Sequence, residues 1–413
     1  MLLGGLRYLL PAIEAAHAQG YHVITADYLP GNVAHRYSDE YVNVSIIDKE
    51  AVLKAALEKR IDGIMSFACD PGVVSAAYVQ EQMGLPSFGP YKSVEILQNK
   101  DKFRSFLREH GFNVPKARSY VCRAEALKDK DLLEYPVIVK PVDSAGSKGV
   151  CRANNAKELE EALVAAFKYS ITHRIIIESF LEKRGRSSDT DCFSVDGQLR
   201  FVDFNAQYFD LLAANPYTPS AYSWPSTFTQ KEERELTSEL QRLISLLGMK
   251  TALFNVETLV AADGAPYIME LTPRAGGNRL SEMLRHIIGV DLITAITRWV
   301  VGDPIDEIKP HPQRGYWAEI ILHSNETGIF QGLEIDRSIA SNILEEDLWC
   351  RPGDVVNFFQ AANQAIGTLI LKFRNAEEQE KALATQAQWL KVRINREACP
   401  MWSGSPVFIP DFQ

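Results

Sequence analysis

Lys140 ends an apolar run in the stretch YPVIVKPVDSAGSKGV, residues 135–150, after which the chain turns polar and glycine-bearing. Val137, Ile138 and Val139 favour extended backbone, and the flanking prolines keep the run to one short strand. A lysine at the mouth of such a strand is a partly desolvated ammonium that can hold a phosphate oxygen. Beyond it, the backbone N–H groups of Ser144, Ala145, Gly146, Ser147, Lys148 and Gly149 can approach an anion, because the two glycines put no side chain in the way. Two serine hydroxyls and the Lys148 ammonium add further donors. The segment reads as a nucleotide phosphate clamp. It is not the G-x-x-x-x-G-K-[ST] loop, whose order is absent, and a hairpin loop with a surface lysine is the competing reading.

Further along, residues 255–280 read NVETLVAADGAPYIMELTPRAGGNRL. The pattern predicts strands over Leu253–Ala261 and Pro266–Leu271 joined by an Asp263-Gly264 turn. Such a hairpin sets Glu257 and Glu270 side by side among apolar residues, where an uncompensated carboxylate is costly. A divalent cation is their natural partner, and Mg2+ takes one or two carboxylates together with substrate phosphate oxygens. Arg274, just past Pro273, can reach a phosphoryl group in transfer. Two solvent-facing acids on an ordinary hairpin are the alternative.

In this order and at this separation the two segments resemble the ATP-grasp superfamily, whose members include biotin carboxylase, carbamoyl-phosphate synthetase and the purine-pathway ligases. The resemblance covers nearly the whole chain. It implies that Lys140 binds the α and β phosphates of ATP, that the loop 143–149 closes over the γ phosphate, and that Lys100, in LQNKDKFRSFLREHGFNVP, also contacts phosphate. A strand over Arg174–Ile177 would lead into the hinge Glu178, Ser179, Phe180, Leu181 and Glu182, with Glu178 and the backbone of Ser179 and Leu181 at the adenine edge. Glu257 and Glu270 would hold Mg2+, or Mn2+ in its place, with Arg274 and Arg279 near the reacting phosphoryl. Two positions depart from the family pattern. Thr272 stands where an asparagine usually supplies a third metal ligand, and its hydroxyl can serve instead. The acid that usually meets the ribose is missing from Gly185-Arg186-Ser187-Ser188-Asp189, which leaves Glu182 or Asp191 for that task.

These residues need a scaffold, and the sequence outlines one. Short apolar strands alternate with helical patterns up to about Pro90: YHVITADYL, KEAVLKAALEKR, IDGIMSFACD and VVSAAYVQEQMG. That rhythm predicts a doubly wound parallel sheet. The first strand is unusually short, which suits a late start codon or a trimmed end. Gly4-Gly5 with Asp27 also suits a dinucleotide fold, although the full glycine fingerprint is missing. Asp70 and Pro71, at a strand's C-terminal end, suit either a wall of the acceptor crevice or a helix N-cap. The aromatic stretch of 201–228 reads as a long, partly irregular segment, an active-site wall or the cover of a core edge. The expected fold class is α/β with ATP-grasp architecture. Its parts are an N-terminal doubly wound domain over 1–95, a central two-part ATP-binding domain over 96–303 with a lid near 115–181, and a small C-terminal α+β domain over 304–413. In the last, YWAEIILHS predicts a strand, Arg351-Pro352-Gly353-Asp354 a turn and AEEQEKALATQAQWLKVRI a helix.

Composition bounds the partners. A net charge of −9 over 413 residues, with no basic run, argues against nucleic acid and against an anionic membrane surface. No apolar stretch reaches bilayer length and the N-terminus lacks a signal pattern, so the cytoplasm is the expected location. Six cysteines without C-x-x-C spacing indicate neither zinc nor a disulfide framework. The resemblance then implies a carboxylate that attacks ATP to give an acyl phosphate, and an amine, held between the first and central domains, that captures it. ATP, Mg2+ and small-molecule carboxylate and amine substrates are the expected partners, with a homodimer as the default assembly. Bicarbonate as the activated acid and a low-turnover ATP-binding regulatory subunit are the competing readings.

Overall fold

The computed structural model describes residues 1–144, 146–313 and 315–396. The chain divides into two compact units, each assembled from three separate stretches. The first unit comprises Met1–Pro115, Leu181–Ala206 and Ser226–Arg314; the second comprises Lys116–Phe180, Gln207–Pro225 and Gly315–Gln413.

The first unit opens with four parallel strands, β1 (Leu2–Leu3), β2 (Ile24–Asp27), β3 (Glu40–Asn43) and β4 (Met65–Ser66), in the order β3-β2-β1-β4. Helix α1 (Leu10–Ala18) crosses from β1 to β2, a 3-10 turn over Val33–Arg36 joins β2 to β3, helix α2 (Lys49–Lys59) crosses from β3 to β4, and helix α3 (Val73–Met83) follows β4. Leu3, Ile24, Ala26, Val52, Ala56, Ile64, Ala76 and Val79 form a common core. Successive strands run outward from β1 to β3, and the chain then returns to place β4 on the other side of β1. That reversal makes the C-terminal ends of β1 and β4 the place where an open sheet can take a ligand. Asp70 lies there, in a short 3-10 turn over Asp70–Gly72.

Helices α4 (Tyr91–Gln98) and α5 (Lys100–Glu109) follow, separated by Asn99, whose side chain accepts the N–H bonds of Asp101 and Lys102. That cap makes Lys100 the first residue of α5. The unit's second sheet is antiparallel, with β9 (Ser188–Val195), β10 (Gln198–Val202), β13 (Ala252–Val260) and β14 (Pro266–Thr272) in the order β10-β9-β13-β14. Helix α8 (Gln230–Leu246), started by a Thr229/Glu232 capping box, packs on β10 and β14. Helices α9 (Leu280–Ile288) and α10 (Leu292–Trp299) complete the unit.

The second unit contains an antiparallel sheet of β5 (Ala117–Tyr120), β6 (Val137–Pro141), β7 (Cys151–Ala153) and β8 (Ile175–Ser179), ordered β5-β8-β6-β7, with helices α6 (Arg123–Lys128) and α7 (Ala156–Tyr169). Leu159, Ala162, Leu163 and Ala166 of α7 pack on Val137, Val139, Ile175 and Ile177. Alternation along β6 and β8 therefore puts Lys140 and Glu178 together on the opposite face. A second sheet takes β11 (Ala206–Phe209), β12 (Pro219–Trp224), β15 (Tyr316–Leu322), β17 (Ile343–Leu348) and β19 (Gly367–Phe373) in the order β11-β12-β15-β19-β17. A third has β16 (Gly328–Ile335), β18 (Val355–Val356) and β20 (Leu390–Asn395) in the order β18-β16-β20.

Two sequence expectations change here. The aromatic stretch of 201–228 is more regular than its composition suggests, because β12 pairs with β15 along Ala221–Trp224 and becomes part of a sheet. The predicted C-terminal helix stops early: α11 (Ala376–Ala384) and α12 (Gln386–Trp389) give way to β20, whose residues pair with β16. Val392 and Ile394 are β-branched and alternate with polar neighbours, so partner strand β16 outweighs the local helical charge pattern. Among the described residues no helix is long and apolar enough to cross a membrane.

Candidate functional site

In the first unit the β13–β14 hairpin forms as predicted, and Glu257 pairs directly with Glu270 in its register. Strand β9 on the other side of β13 sets Asp189 opposite Glu257. Three carboxylates thus lie in a row across neighbouring strands, an arrangement that like-charge repulsion opposes unless cations answer it. Lys100 answers at one end, with its Nζ 3.2 Å from Oε1 of Glu270. Burial works against the Lys100 charge, but the pull of Glu270 prevails and holds the ammonium above the ordinary lysine range. The Asp189 carboxylate accepts a 2.8 Å bond from Nδ2 of Asn255.

Arg274 follows β14 and is held by Asp70. Its Nε and Nη2 donate to the two carboxylate oxygens of Asp70 at 2.8 and 2.9 Å, and its Nη1 donates to the Ala275 carbonyl at 2.8 Å. The guanidinium is buried, which disfavours its charge, yet Asp70, Glu270 and Asp189 together keep it firmly protonated. Bidentate pairing fixes the plane of the guanidinium as well as its position. Arg279 has a left-handed backbone, φ 61°, at the start of α9, and its Nε and Nη2 donate to Oε1 of Glu282 at 3.1 and 3.0 Å.

Thr272 is buried, and its hydroxyl oxygen accepts a 3.1 Å bond from Nε2 of Gln98. Among the described residues no group of three or more His, Cys, Asp or Glu side chains is arranged to hold a metal. Glu257 and Glu270 supply two hard oxygen ligands side by side, a donor set that fits Mg2+ when substrate oxygens complete the shell.

Asp191 is not available to a ribose. It is fully buried and accepts bonds from the Gly276 N–H at 2.7 Å, from Nδ2 of Asn255 at 3.3 Å and from the Ser281 hydroxyl. Burial raises its carboxyl to about 6 despite those donors. Its task is to tie the loop that carries Arg274 to strands β9 and β13. Gly276 belongs to that tie, since a Cβ there would lie 2.7 Å from Nδ2 of Asn255 and 2.9 Å from Oδ1 of Asp191. Glu182 is exposed, and its carbonyl accepts the Ala262 N–H at 2.8 Å.

In the second unit Lys140 and Glu178 form a buried ion pair, Nζ to Oε2 2.7 Å, with side chains 11% and 2% exposed. Glu178, expected at the adenine edge beyond the strand, is instead a residue of β8 and the counter-ion of Lys140. The Ser179 N–H donates to the Lys116 carbonyl at 2.8 Å and the Phe180 N–H to the Pro136 carbonyl at 3.1 Å. The Arg152 guanidinium lies 4.2 Å from the Phe180 ring centroid, a cation–π contact at the end of the same strand.

The turn 143–149 leaves β6 with its first residue pinned. The Asp143 carboxylate accepts the N–H bonds of Ile171 at 3.2 Å and Thr172 at 2.7 Å. Gly146, Ser147 and Gly149 all adopt positive φ, at 65°, 61° and 72°. Gly149 also has no room for a side chain, because a Cβ would stand 3.1 Å from both Pro141 and Tyr169. Ser144 and Lys148 are half-buried, and Ala145 lies outside the described residues. Sequence reasoning missed Asn255, which binds both Asp189 and Asp191, and Asn215, described below. Only Asn255 had a signal, since it is two residues before Glu257 and shares its strand face.

A sequence model of the ATP-grasp domain matches residues 97–278. The chain is 23% identical over 308 residues to the carbamoyl phosphate synthase large chain of Ralstonia nicotianae, covering 73% of this chain and 28% of that protein. It therefore spans little more than a quarter of the relative it matches. An L-amino acid ligase from Bacillus licheniformis superposes with a TM-score of 0.77 at 21% identity, over 96% of this chain and 98% of that one. The biotin carboxylase domain dimer of the Hydrogenobacter thermophilus 2-oxoglutarate carboxylase, solved with MgADP, ADP and bicarbonate, superposes with a TM-score of 0.72 at 15% identity, over 95% and 90% of the two chains. The fold is shared over nearly the full length, and the sequence of residues 97–278 is similar to the ATP-grasp domain.

Proposed function

We propose that this chain is an ATP- and Mg2+-dependent ligase that activates a small carboxylate as an acyl phosphate and joins it to an amine, releasing ADP and phosphate. The observation that carries the reading is the in-register pair Glu257 and Glu270, bracketed by Lys100 on Glu270 and by an Arg274 fixed on Asp70. The full-length likeness to an L-amino acid ligase supports it.

In the first step a carboxylate oxygen of the acid attacks the γ phosphorus, a new O–P bond forms, and the bond from that phosphorus to the β–γ bridging oxygen breaks as ADP leaves. Charge develops on the transferred phosphoryl, and the preorganised Arg274 and Lys100 stabilise it without reorganising at that moment. Lys140 and the N–H groups of the turn 146–149 hold the phosphates on the nucleotide side. Mg2+ on Glu257 and Glu270 supplies electrostatic neutralisation of the phosphate oxygens when bound. In the second step the amine nitrogen attacks the acyl carbon, a C–N bond replaces the C–O bond, inorganic phosphate departs and the amine gives up a proton.

The test is Mg2+-dependent phosphate release from ATP across amino acids, small dicarboxylates and bicarbonate, each with and without an amine. Stimulation by one acid, with amide formed when an amine is added, is the expected result. Stimulation by bicarbonate alone would replace this reading with carboxyphosphate chemistry. Bound ATP with no phosphate release under any condition would replace it with a regulatory nucleotide site.

A further inference from the structure

Ser147 is the one non-glycine residue with a left-handed backbone among the described residues of the turn 143–149, at φ 61°. A serine held in that conformation is strained and persists only where its surroundings over-determine it. The surroundings here come from residues 210–218, which connect β11 to β12. Nδ2 of Asn215 donates to the Ser147 carbonyl at 2.9 Å, and the Ser147 hydroxyl donates to the Tyr217 carbonyl at 2.9 Å. Oδ1 of Asn215 accepts the Tyr217 N–H at 3.0 Å, so one amide shapes its own loop and grips the phosphate-binding turn together.

That loop is itself fastened at both ends. Asp210 accepts bonds from Nε2 of His323 at 3.2 Å, from Nδ2 of Asn325 at 2.6 Å and from the Leu212 N–H at 2.8 Å. The bond from His323, more than any other contact, holds the Asp210 carboxyl far below the usual carboxylate range. His323 is fixed in turn by its Nδ1 contact with the Ile321 carbonyl at 2.7 Å and by stacking on Phe359 at 4.2 Å between ring centroids. At the other end Thr218 is buried, and its hydroxyl donates to the Gln360 carbonyl at 3.2 Å.

We propose that residues 210–218 are a strap whose Asn215 is a positioning residue for the phosphate-binding turn, with Asp210, His323 and Asn325 as its anchor. The strap sets Ser147, and so the N–H groups of 146–149, before nucleotide arrives. The role at the phosphates rests on the ligase reading above; the grip on Ser147 does not.

Lys148 provides the probe, because trypsin cleaves after it only where the turn can leave its place. Asn215→Ala, and Asn215→Asp, which loses the donor and keeps the acceptor, are compared with the unaltered chain for cleavage after Lys148, for melting temperature and for the Kd of MgADP by calorimetry. Both variants are expected to be cleaved about tenfold faster and to bind MgADP about tenfold more weakly, the size of one lost hydrogen bond, with the melting temperature unchanged. Asp210→Asn and His323→Phe, the latter keeping the stack on Phe359, are expected to give smaller changes of the same sign. Cleavage of the Asn215 variants at the original rate would overturn the strap. Faster cleavage with an unchanged MgADP Kd would overturn its positioning role. If the unaltered chain binds no MgADP, the ligase reading fails, and the cleavage comparison alone decides whether the strap holds Ser147.

Discussion

Asp70 and Arg274, which are 204 residues apart in the chain, meet through two nearly equal N–H···O bonds of 2.8 and 2.9 Å. The acid stands at the C-terminal end of the parallel sheet and the base follows the β13–β14 hairpin, so one ion pair joins the two sheets of the first unit. The aspartate fixes the plane and position of the arginine. Asp70→Asn is expected to lower kcat about 10- to 100-fold, the usual cost of losing a charged partner behind a site residue, while the MgADP Kd stays within a factor of two or so. Steady-state kinetics beside calorimetry would check this, and parallel loss of both quantities would mean that Asp70 merely supports the fold.

The Lys140–Glu178 pair predicts a stability effect that a surface lysine would not show. Lys140→Ala strands the Glu178 carboxylate in a site only 2% exposed, and is expected to cost about 3–5 kcal/mol. Replacing both residues, Lys140→Met with Glu178→Leu, should restore most of that stability, since two apolar side chains of similar volume leave no buried charge. Neither protein should bind MgADP tightly. Urea denaturation of the three chains separates the pair's structural contribution from Lys140's role at phosphate.

Under the proposed ligase reading, Glu257→Gln and Glu270→Gln each keep the shape of the hairpin and remove one of two adjacent carboxylate charges from the metal site. Turnover should fall by roughly two to three orders of magnitude, with a higher Mg2+ requirement. Glu257→Gln should be the milder in stability, because Glu270→Gln removes the charge that compensates the poorly exposed Lys100 ammonium. Magnesium titrations of phosphate release that superimpose on the original curve would remove both residues from the metal site.

Asp191 gives a pH dependence with a definite sign. Its folded-state carboxyl, at about 6, lies above the 3.8 of an ordinary aspartate, so the folded chain holds the proton more tightly than the unfolded chain. The resulting stabilisation is present below the unfolded value and is lost as pH rises through about 6, on the order of 3 kcal/mol in all. Asp203, raised to about 7 chiefly by burial, acts in the same direction over a neighbouring window. Asp191→Asn removes only the first contribution. The advantage of the original chain over this variant should therefore shrink between pH 4 and pH 7 in denaturation midpoints; an advantage that grows with pH would reverse the assignment.

Much of the candidate site could be read from spacing because it depends on local pairing. The Asp263-Gly264 turn sets the hairpin register, and a one-residue shift between Thr258 and Glu257 then brings Glu257 opposite Glu270. Lys140 was legible for the same reason, as the end of a strand bounded by prolines. What the sequence hid was long-range. Glu178 reads as a hinge residue until β8 is laid beside β6, when alternation turns it toward Lys140. Asp191 looks like a free acid after the hinge, yet the 273–281 loop folds over it and consumes its oxygens. At the C-terminus, the charge pattern of LKVRIN continues a helix locally, and only β16, more than fifty residues earlier, makes it a strand.

The interleaving of the two units bears on how the chain is made. Strand β12 finds its partner β15 only when Trp317 emerges, roughly 90 residues after Trp224. At ordinary ribosomal speeds of about 5–20 residues per second, the 207–225 segment waits some 5–20 seconds with apolar Tyr222 and Trp224 uncovered by their neighbouring strand. The nascent chain therefore carries an unfinished sheet edge throughout this interval, an edge that a chaperone can cover until β15 arrives.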